Sequence, residues 1–524
     1  MDYSKVKICD LVKGIKDKTF SSESVVKFFI DKIEKNKEYN AVIEVFSDAI
    51  DKAKEVDSKI LNGEKLGLLA GVPVIIKDNI LAKGKKASCA SAFLKDFVSP
   101  YSATIVKKLE NEGAIIIARA NMDEFAMGGS CEKSVYGATL NSKDKTRVAG
   151  GSSGGSAVSV GLGLCPIAIG TDTGGSIRQP SSFNGVVGIK PTYGTVSRYG
   201  IVAFASSTDQ AGPITRTIED NEYVLEILAG KDENDQTSIE NDLGEKLIKD
   251  KYTIGLCKEL MDKIKQLPQY ACFNKTIESL KQNGFDVKEV SVPHIANSLA
   301  CYYILSPAEA TSNLARFDGV KYTSRSKEAT TLEEIYVKSR SEGFGDEVKR
   351  RIMLGNFVLS SGYFDAYYKR AKKLQVLLKK EFESAFSYCD VIITPTTPGK
   401  AFKLGEKSLD PVSMYLEDLF TVPASIVGIP ALSVPYGKDE DSNMPLGLQL
   451  MGKNNSEKVL YDVAKYVFKE EIYGIWCSNR SWDSRWIKNK HKGILFLQKW
   501  VWSRTQQKHL PSLYRYARCF ANYK

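Results

Sequence analysis

The scarcest chemical resource of this 524-residue sequence is histidine: there are three, His294, His491 and His509. So few exclude a histidine-rich metal centre and a Ser-His-Asp triad as the basis of any chemistry in the body of the chain. The ten cysteines are scattered, with no CxxC pair. That excludes a zinc ribbon and a disulfide scaffold, and most are expected as small buried apolar residues in a reducing cytosol. No apolar run reaches the ~20 residues of a membrane span. Met1-Asp2-Tyr3-Ser4-Lys5 opens no apolar signal segment, so a cytoplasmic protein without membrane contact is expected. Neither a Gly-Lys-Ser/Thr P-loop ending nor a GxGxxG turn after a strand is present, which removes the common phosphate-binding loops.

What is present is an ordinary globular balance, with 43% hydrophobic and 26% charged residues. That composition excludes global disorder and supports a large core. The net charge of +10 is uneven: residues 471–524 hold 11 Lys+Arg against 2 Asp+Glu, leaving 62 against 61 in residues 1–470. Since the excess is terminal, the body carries no argument for a nucleic-acid scaffold. All five tryptophans, from Trp476 to Trp502, lie in the same terminal stretch.

Periodicity predicts helices in the first sixty residues. Ile8, Leu11, Val12 and Ile15 form one helical stripe, Val26, Phe29, Ile30 and Ile33 a second, and Ser21 and Ser22 are candidate N-caps. Short continuous apolar runs then alternate with helical segments: Val72–Ile76, Ala114–Ala118, Cys165–Gly170, Thr253–Cys257, Val391–Pro395 and Ala431–Pro435. Such runs suit strands buried on both faces, so the expected class is α/β, a large mixed sheet covered on both sides by helices. The polar stretch 231–250 reads as a surface connection.

The unusual local chemistry lies between residues 71 and 200. Val148-Ala-Gly-Gly-Ser-Ser-Gly-Gly-Ser156 is followed by Gly170-Thr-Asp-Thr-Gly-Gly-Ser-Ile-Arg-Gln-Pro180. These runs can be a flexible linker or an active-site loop, and the apolar strand leading directly into the second favours the loop. A serine nucleophile without histidine needs another base. Lys77 ends the run Val72–Ile76; it is either a solvated strand-end lysine or, if desolvated, a neutral amine able to accept a proton near pH 7. Asp172 and Arg178 read as an ion pair supporting the loop.

Gly71-Val-Pro-Val-Ile-Ile-Lys-Asp-Asn79, the GGSSGGSA run at 150–157 and Gly170–Pro180, with 75 residues from Lys77 to Ser152 and 24 from Ser152 to Ser176, together resemble the amidase signature family. The resemblance runs through Gly188–Gly194 and Ser197–Ser206 to about residue 470; Ala149 and Ser181–Asn184 depart from the family pattern without touching the three key residues. It implies Ser176 as nucleophile, Ser152 as a bridging serine on a cis peptide and Lys77 as base, with backbone N–H groups of Thr173, Gly174, Gly175 and Ser176 as oxyanion hole. Val196–Pro213, Arg350–Gly355 and Ser360–Tyr368 are similar to the branch of the family formed by A subunits of bacterial glutamyl-tRNA(Gln) amidotransferases. That branch implies glutamine as substrate, held by Arg351 at the α-carboxylate and Asp418 at the α-ammonium. It also implies B and C partner subunits, Glu-tRNA(Gln) bound mainly through the B subunit, and ATP and Mg2+ used by the partner, with no metal or cofactor in this chain. A stand-alone amidase acting on small amides is the alternative.

The expected organisation is an amidase domain over 1–471, helical to about 62 with a catalytic core over about 63–471, then an atypical tail over 472–524. That tail reads either as a basic appendage that grips tRNA, from its clustered Lys/Arg and aromatics, or as out-of-frame translation. Written back into codons it permits a reading one base out of phase that resembles the start of a B subunit, which fits more of the residues.

Overall fold

The computed structural model describes residues 1–240, 243, 251–407 and 410–468. The tail 472–524 and most of 241–250 lie outside them. Among the described residues, eleven strands form one sheet: β1 (Val42–Val45), β2 (Pro73–Lys77), β3 (Ile115–Ala120), β4 (Ile167–Asp172), β5 (Val187–Lys190), β6 (Gln210–Thr215), β7 (Thr253–Cys257), β8 (Asp286–Val290), β9 (Val391–Pro395), β10 (Ala431–Lys438) and β11 (Pro445–Gly452). Their order is β1-β3-β2-β4-β6-β5-β10-β11-β9-β7-β8. β2 runs parallel to β3 and β4, and β7 parallel to β8 and β9. The other neighbours are antiparallel, so the sheet is mixed, as expected.

All six apolar runs are strands, and the reason is visible in the packing. Along β2, Val74 and Ile76 join one apolar core and Ile75 the other, while β4 divides Ile167 and Ile169 from Ala168 in the same way. A strand with a core on each face must be apolar at every position, and each buried Val or Ile contributes about 1.5–3 kcal/mol. The N-terminal helices Ile8–Lys16 and Ser22–Glu34 bury the expected stripes, although Val25 is buried where Ile30 is only partly so. Ser21 is the N-cap of the second, its hydroxyl accepting from Ser24 N–H at 3.1 Å. The N-terminal segment is not purely helical: Val42–Val45 adds β1 to the edge of the sheet, antiparallel to β3.

This topology sets two loops side by side. The C-terminal ends of the adjacent parallel strands β2 and β4 carry Lys77 and Thr171-Asp172. The glycine-serine run 150–153 leads into the helix Gly154–Gly161, which packs on β4.

Candidate active site

Lys77 is fully buried at the end of β2 and its ammonium faces hydroxyls. Nζ lies 2.8 Å from Ser152 Oγ, 2.9 Å from Ser153 Oγ and 2.8 Å from Thr171 Oγ1. No carboxylate lies within ion-pair distance of it among the described residues; Asp123, Asp172 and Asp209 act only from farther away. Burial therefore dominates and pushes its pKa down to about 7, with Cys131 and these aspartates opposing. The lysine is thus not a solvated strand-end residue. Ser153 and Thr171, which complete its shell, escaped the sequence reading, although both sit inside the two glycine-rich runs.

Ser152 follows a cis Gly151–Ser152 peptide, as expected. Of the three key residues Ser176 is the most accessible, at 7% against 0% for Lys77 and Ser152. The Ser152 and Ser176 hydroxyls are not hydrogen-bonded to each other; their loops meet through Ser153 N–H, which donates to Ser176 O at 3.1 Å. The N–H groups of Thr173, Gly174, Gly175 and Ser176 make no hydrogen bond within the described protein, whereas the next, Ile177 N–H, donates to Asp172 Oδ2 at 3.1 Å. A run of four unpaired donors in a buried loop is what an oxyanion requires. Glycine is obligatory at two of them. Gly175 has φ +150°, and a Cβ there would lie 2.4 Å from Thr421 Oγ1; at Gly174 it would lie 2.6 Å from Tyr302 Cζ.

The loop is held by a buried ion pair. Arg178 and Asp172 are both fully buried and paired as a fork, Nη2 to Oδ1 at 2.8 Å and Nε to Oδ2 at 3.0 Å. Arg178 Nη1 also donates to Thr421 O (2.7 Å) and Gln449 Oε1 (2.6 Å), and Nη2 to Ser425 Oγ (2.9 Å). Burial pushes the Asp172 carboxyl up, but Arg178 overrides it and holds the pKa below the usual value. The supporting role expected for this pair fits that geometry. On the other side Thr173 Oγ1 donates to Asp209 Oδ1 at 2.7 Å, and burial raises the Asp209 carboxyl to about 6.

Arg351 and Asp418 converge on one aromatic group. Arg351, buried on the helix Asp346–Leu359, donates through Nε to Glu347 Oε1 at 2.7 Å, and its Nη1 and Nη2 make no hydrogen bond within the described protein. Its guanidinium lies 5.6 Å from the rings of Phe204 and Tyr303 and 5.8 Å from that of Tyr415. Tyr303 Oη donates to Asp418 Oδ2 at 2.6 Å. Burial pushes the Asp418 carboxyl up to about 7, against Tyr303 and Arg351; part of the side chain is open to solvent, which screens some of that push. Tyr302, edge-on to Tyr303 at 5.0 Å, packs on Gly174 and so links this pair to the nucleophile loop. Sequence reading missed the tyrosines because the contacts between their helix, Ser298–Leu314, and the site span over a hundred residues of chain.

Gln179, also unremarked in the sequence, is fully buried and accepts Gly151 N–H on Oε1 at 2.9 Å. Among the described residues no group of three or more His, Cys, Asp or Glu side chains is arranged to hold a metal. No described helix is long and apolar enough to cross a membrane.

Known proteins share this arrangement of sequence and fold. The family model described as Amidase matches residues 24–461. The glutamyl-tRNA(Gln) amidotransferase A subunit numbered 2 of Clostridium acetobutylicum is 48% identical over 482 residues, covering 90% of this chain and 100% of that relative. The corresponding A subunit of Alkaliphilus metalliredigens is 47% identical over 480 residues, covering 90% and 97%. Among solved structures, the glutamyl-tRNA(Gln) amidotransferase A subunit of Thermotoga maritima aligns with a TM-score of 0.73 at 36% identity, covering 92% of this chain and 97% of that one. The peptide amidase of Stenotrophomonas maltophilia gives 0.75 at 27%, covering 90% and 97%. A buried lysine among serine hydroxyls, four unpaired N–H groups and a family match over residues 24–461 lead to one assignment: the chain is a member of the amidase family.

Proposed function

We propose that this chain is the glutamine-hydrolysing A subunit of a glutamyl-tRNA(Gln) amidotransferase. The observation that carries the chemistry is the buried Lys77, with Nζ 2.8 Å from Ser152 Oγ. In this reading neutral Lys77 takes the Ser152 proton, Ser152 takes the Ser176 proton, and Ser176 Oγ attacks the side-chain amide carbon of glutamine. The Ser152 and Ser176 hydroxyls must meet as substrate binds, since catalytic hydrogen bonds tighten in the reactive complex. The developing oxyanion takes up the free N–H groups of Thr173, Gly174, Gly175 and Ser176, each typically worth about 3 kcal/mol. Returning the proton through Ser152 to the amide nitrogen releases ammonia and leaves a glutamyl ester on Ser176. Water, deprotonated by the same relay, cleaves that ester to glutamate and restores the serine.

The unpaired Nη1 and Nη2 of Arg351 suit the α-carboxylate, and the Asp418 carboxyl suits the α-ammonium. A carboxyl raised by burial is one whose ionised form gains most from an arriving cation. The amidotransferase reading rests on relatives 47–48% identical that bear that name, against 27% for the peptide amidase. It brings with it B and C subunits in a cytoplasmic heterotrimer, tRNA held mainly by the B subunit, and ATP and Mg2+ used there to activate the tRNA-bound glutamate that the ammonia amidates.

The test is Ser176→Ala in the assembled complex. Glutamine-dependent amidation is expected to vanish while amidation from added ammonium salt persists. Equal loss of both would overturn the assignment, and turnover of simple amides by the isolated chain would favour the stand-alone amidase.

A further inference from the structure

One side-chain donor beside the reacting residues has no acceptor among the described residues. Gln179 lies three residues after Ser176, on the short helix Arg178–Asn184, and is fully buried. Its amide orientation is fixed, because Gly151 N–H needs an acceptor and Oε1 supplies it at 2.9 Å. Nε2 must then be the other end, and it makes no hydrogen bond among the described residues. A buried amide N–H₂ without an acceptor costs about 1–3 kcal/mol, so it persists where something else supplies the acceptor.

Its surroundings say where that acceptor arrives. A methyl group placed on Gly129 would stand 3.5 Å from Gln179 Nε2 and 3.5 Å from Met414 Sδ. Gln179 Nε2 and Met414 Sδ thus border the same methyl-sized space beside Gly129. Met414 is partly exposed and lies on the same short segment as Asp418. On its other side Gln179 grips Gly151, the residue before Ser152. One side chain thus holds the bridging-serine loop with its oxygen and lines, with its nitrogen, a space that Met414 also borders.

We infer that Gln179 is a substrate-binding residue: Nε2 donates to an oxygen acceptor of the bound substrate, carboxylate or carbonyl, while Oε1 holds Gly151. The inference rests on the glutaminase reading above. It adds a donor to the Arg351–Asp418 clamp and ties substrate occupancy directly to the loop that carries Ser152.

The experiment is steady-state glutamine hydrolysis by the assembled complex at pH 9, where Lys77 is neutral, comparing wild type with Gln179→Glu and Gln179→Met. Glu keeps the acceptor for Gly151 and removes the donor; Met removes both. Loss of one substrate hydrogen bond is expected to raise the KM for glutamine about tenfold in both variants. Only Met is expected to lower kcat as well, because only Met releases Gly151. Glutamine carrying an α-carboxamide distinguishes the two acceptors. A smaller KM effect on that analogue assigns the α-carboxylate, and an equal effect assigns the side-chain carbonyl. A wild-type KM in either folded variant overturns the inference. Failure of the glutaminase reading would look different: the wild-type complex would not hydrolyse glutamine at all.

Discussion

Two lysines in this molecule, Lys77 and Lys190, are almost matched. Each ends a central strand, β2 or β5, each is buried to 1% exposure or less, and burial pushes both to about 7. They differ in what surrounds them. Lys77 faces three hydroxyls, one of them on Ser152. Among the described residues Lys190 donates only to Pro191 O, at 2.9 Å, and it also feels the charges of Arg178, which lowers its pKa further, and of Asp172 and Glu457, which oppose. A depressed pKa makes a lysine able to accept a proton; a hydroxyl 2.8 Å away, itself next to a nucleophile loop, gives it a proton to accept. Perturbed titration alone marks both residues, and geometry selects one.

Mutation puts this difference between the lysines at risk. The largest expected effect is Lys77→Met, which removes the base and is expected to lower glutaminase kcat about 10³-fold or more while leaving the fold intact. Lys77→Arg is expected to be no better, since a guanidinium stays protonated. Glutamine hydrolysis by either variant at more than a few per cent of wild type would sink the general-base role.

Next in size is a stability effect that Lys77 should not show. Arg178→Met leaves Asp172 buried without its cation and is expected to cost about 3–5 kcal/mol, read as an early denaturation midpoint or insolubility. A variant as stable as wild type would mean that the loop stands without its ion pair.

The pH dependence separates the two lysines further. Protonated Lys77 cannot act, so kcat is expected to fall as the pH drops through about 7 and to level off above it, along a single-proton curve. Lys190→Met is expected to leave that midpoint in place, change kcat less than about threefold, and leave the melting temperature equal or higher, because an uncompensated buried amine has been replaced by an apolar chain. A shifted midpoint in Lys190→Met would show that the two lysines are coupled. The smallest expected effect is none: a chain ending at residue 471 should hydrolyse glutamine like the full one, and sequencing the locus for an overlapping B-subunit frame checks the reading of the tail directly.

How much of this was legible in the sequence follows from how local each feature is. The two glycine-rich runs, Lys77 at a strand end and the Asp172–Arg178 pair all lie within 71–200, and the fold places them together. Strands with apolar residues on both faces announced themselves. The others did not: β5 contains Gly188 and Lys190, β11 contains Gly447 and Gln449, and β8, at the sheet edge, exposes Asp286, Lys288 and Glu289. Gln449 illustrates the reason, for its presence in a buried strand makes sense only once Arg178 is seen beside it. Tyr302, Tyr303 and Gln179 have the same character, since each owes its role to a neighbour that no local pattern reveals.

The reach of Arg178 has a consequence for synthesis on the ribosome. Its guanidinium is satisfied by Thr421, Ser425 and Gln449, the last 271 residues downstream. At typical elongation rates of about 5–20 residues per second, the nucleophile loop waits roughly 15–55 s after its own translation before these partners emerge. Until then Asp172 and Arg178 lack the shell that makes their burial tolerable, so the loop cannot settle. A nascent or prematurely terminated chain carries the sequence of the nucleophile without its geometry, and hydrolytic activity arrives only when nearly the whole described body has left the ribosome.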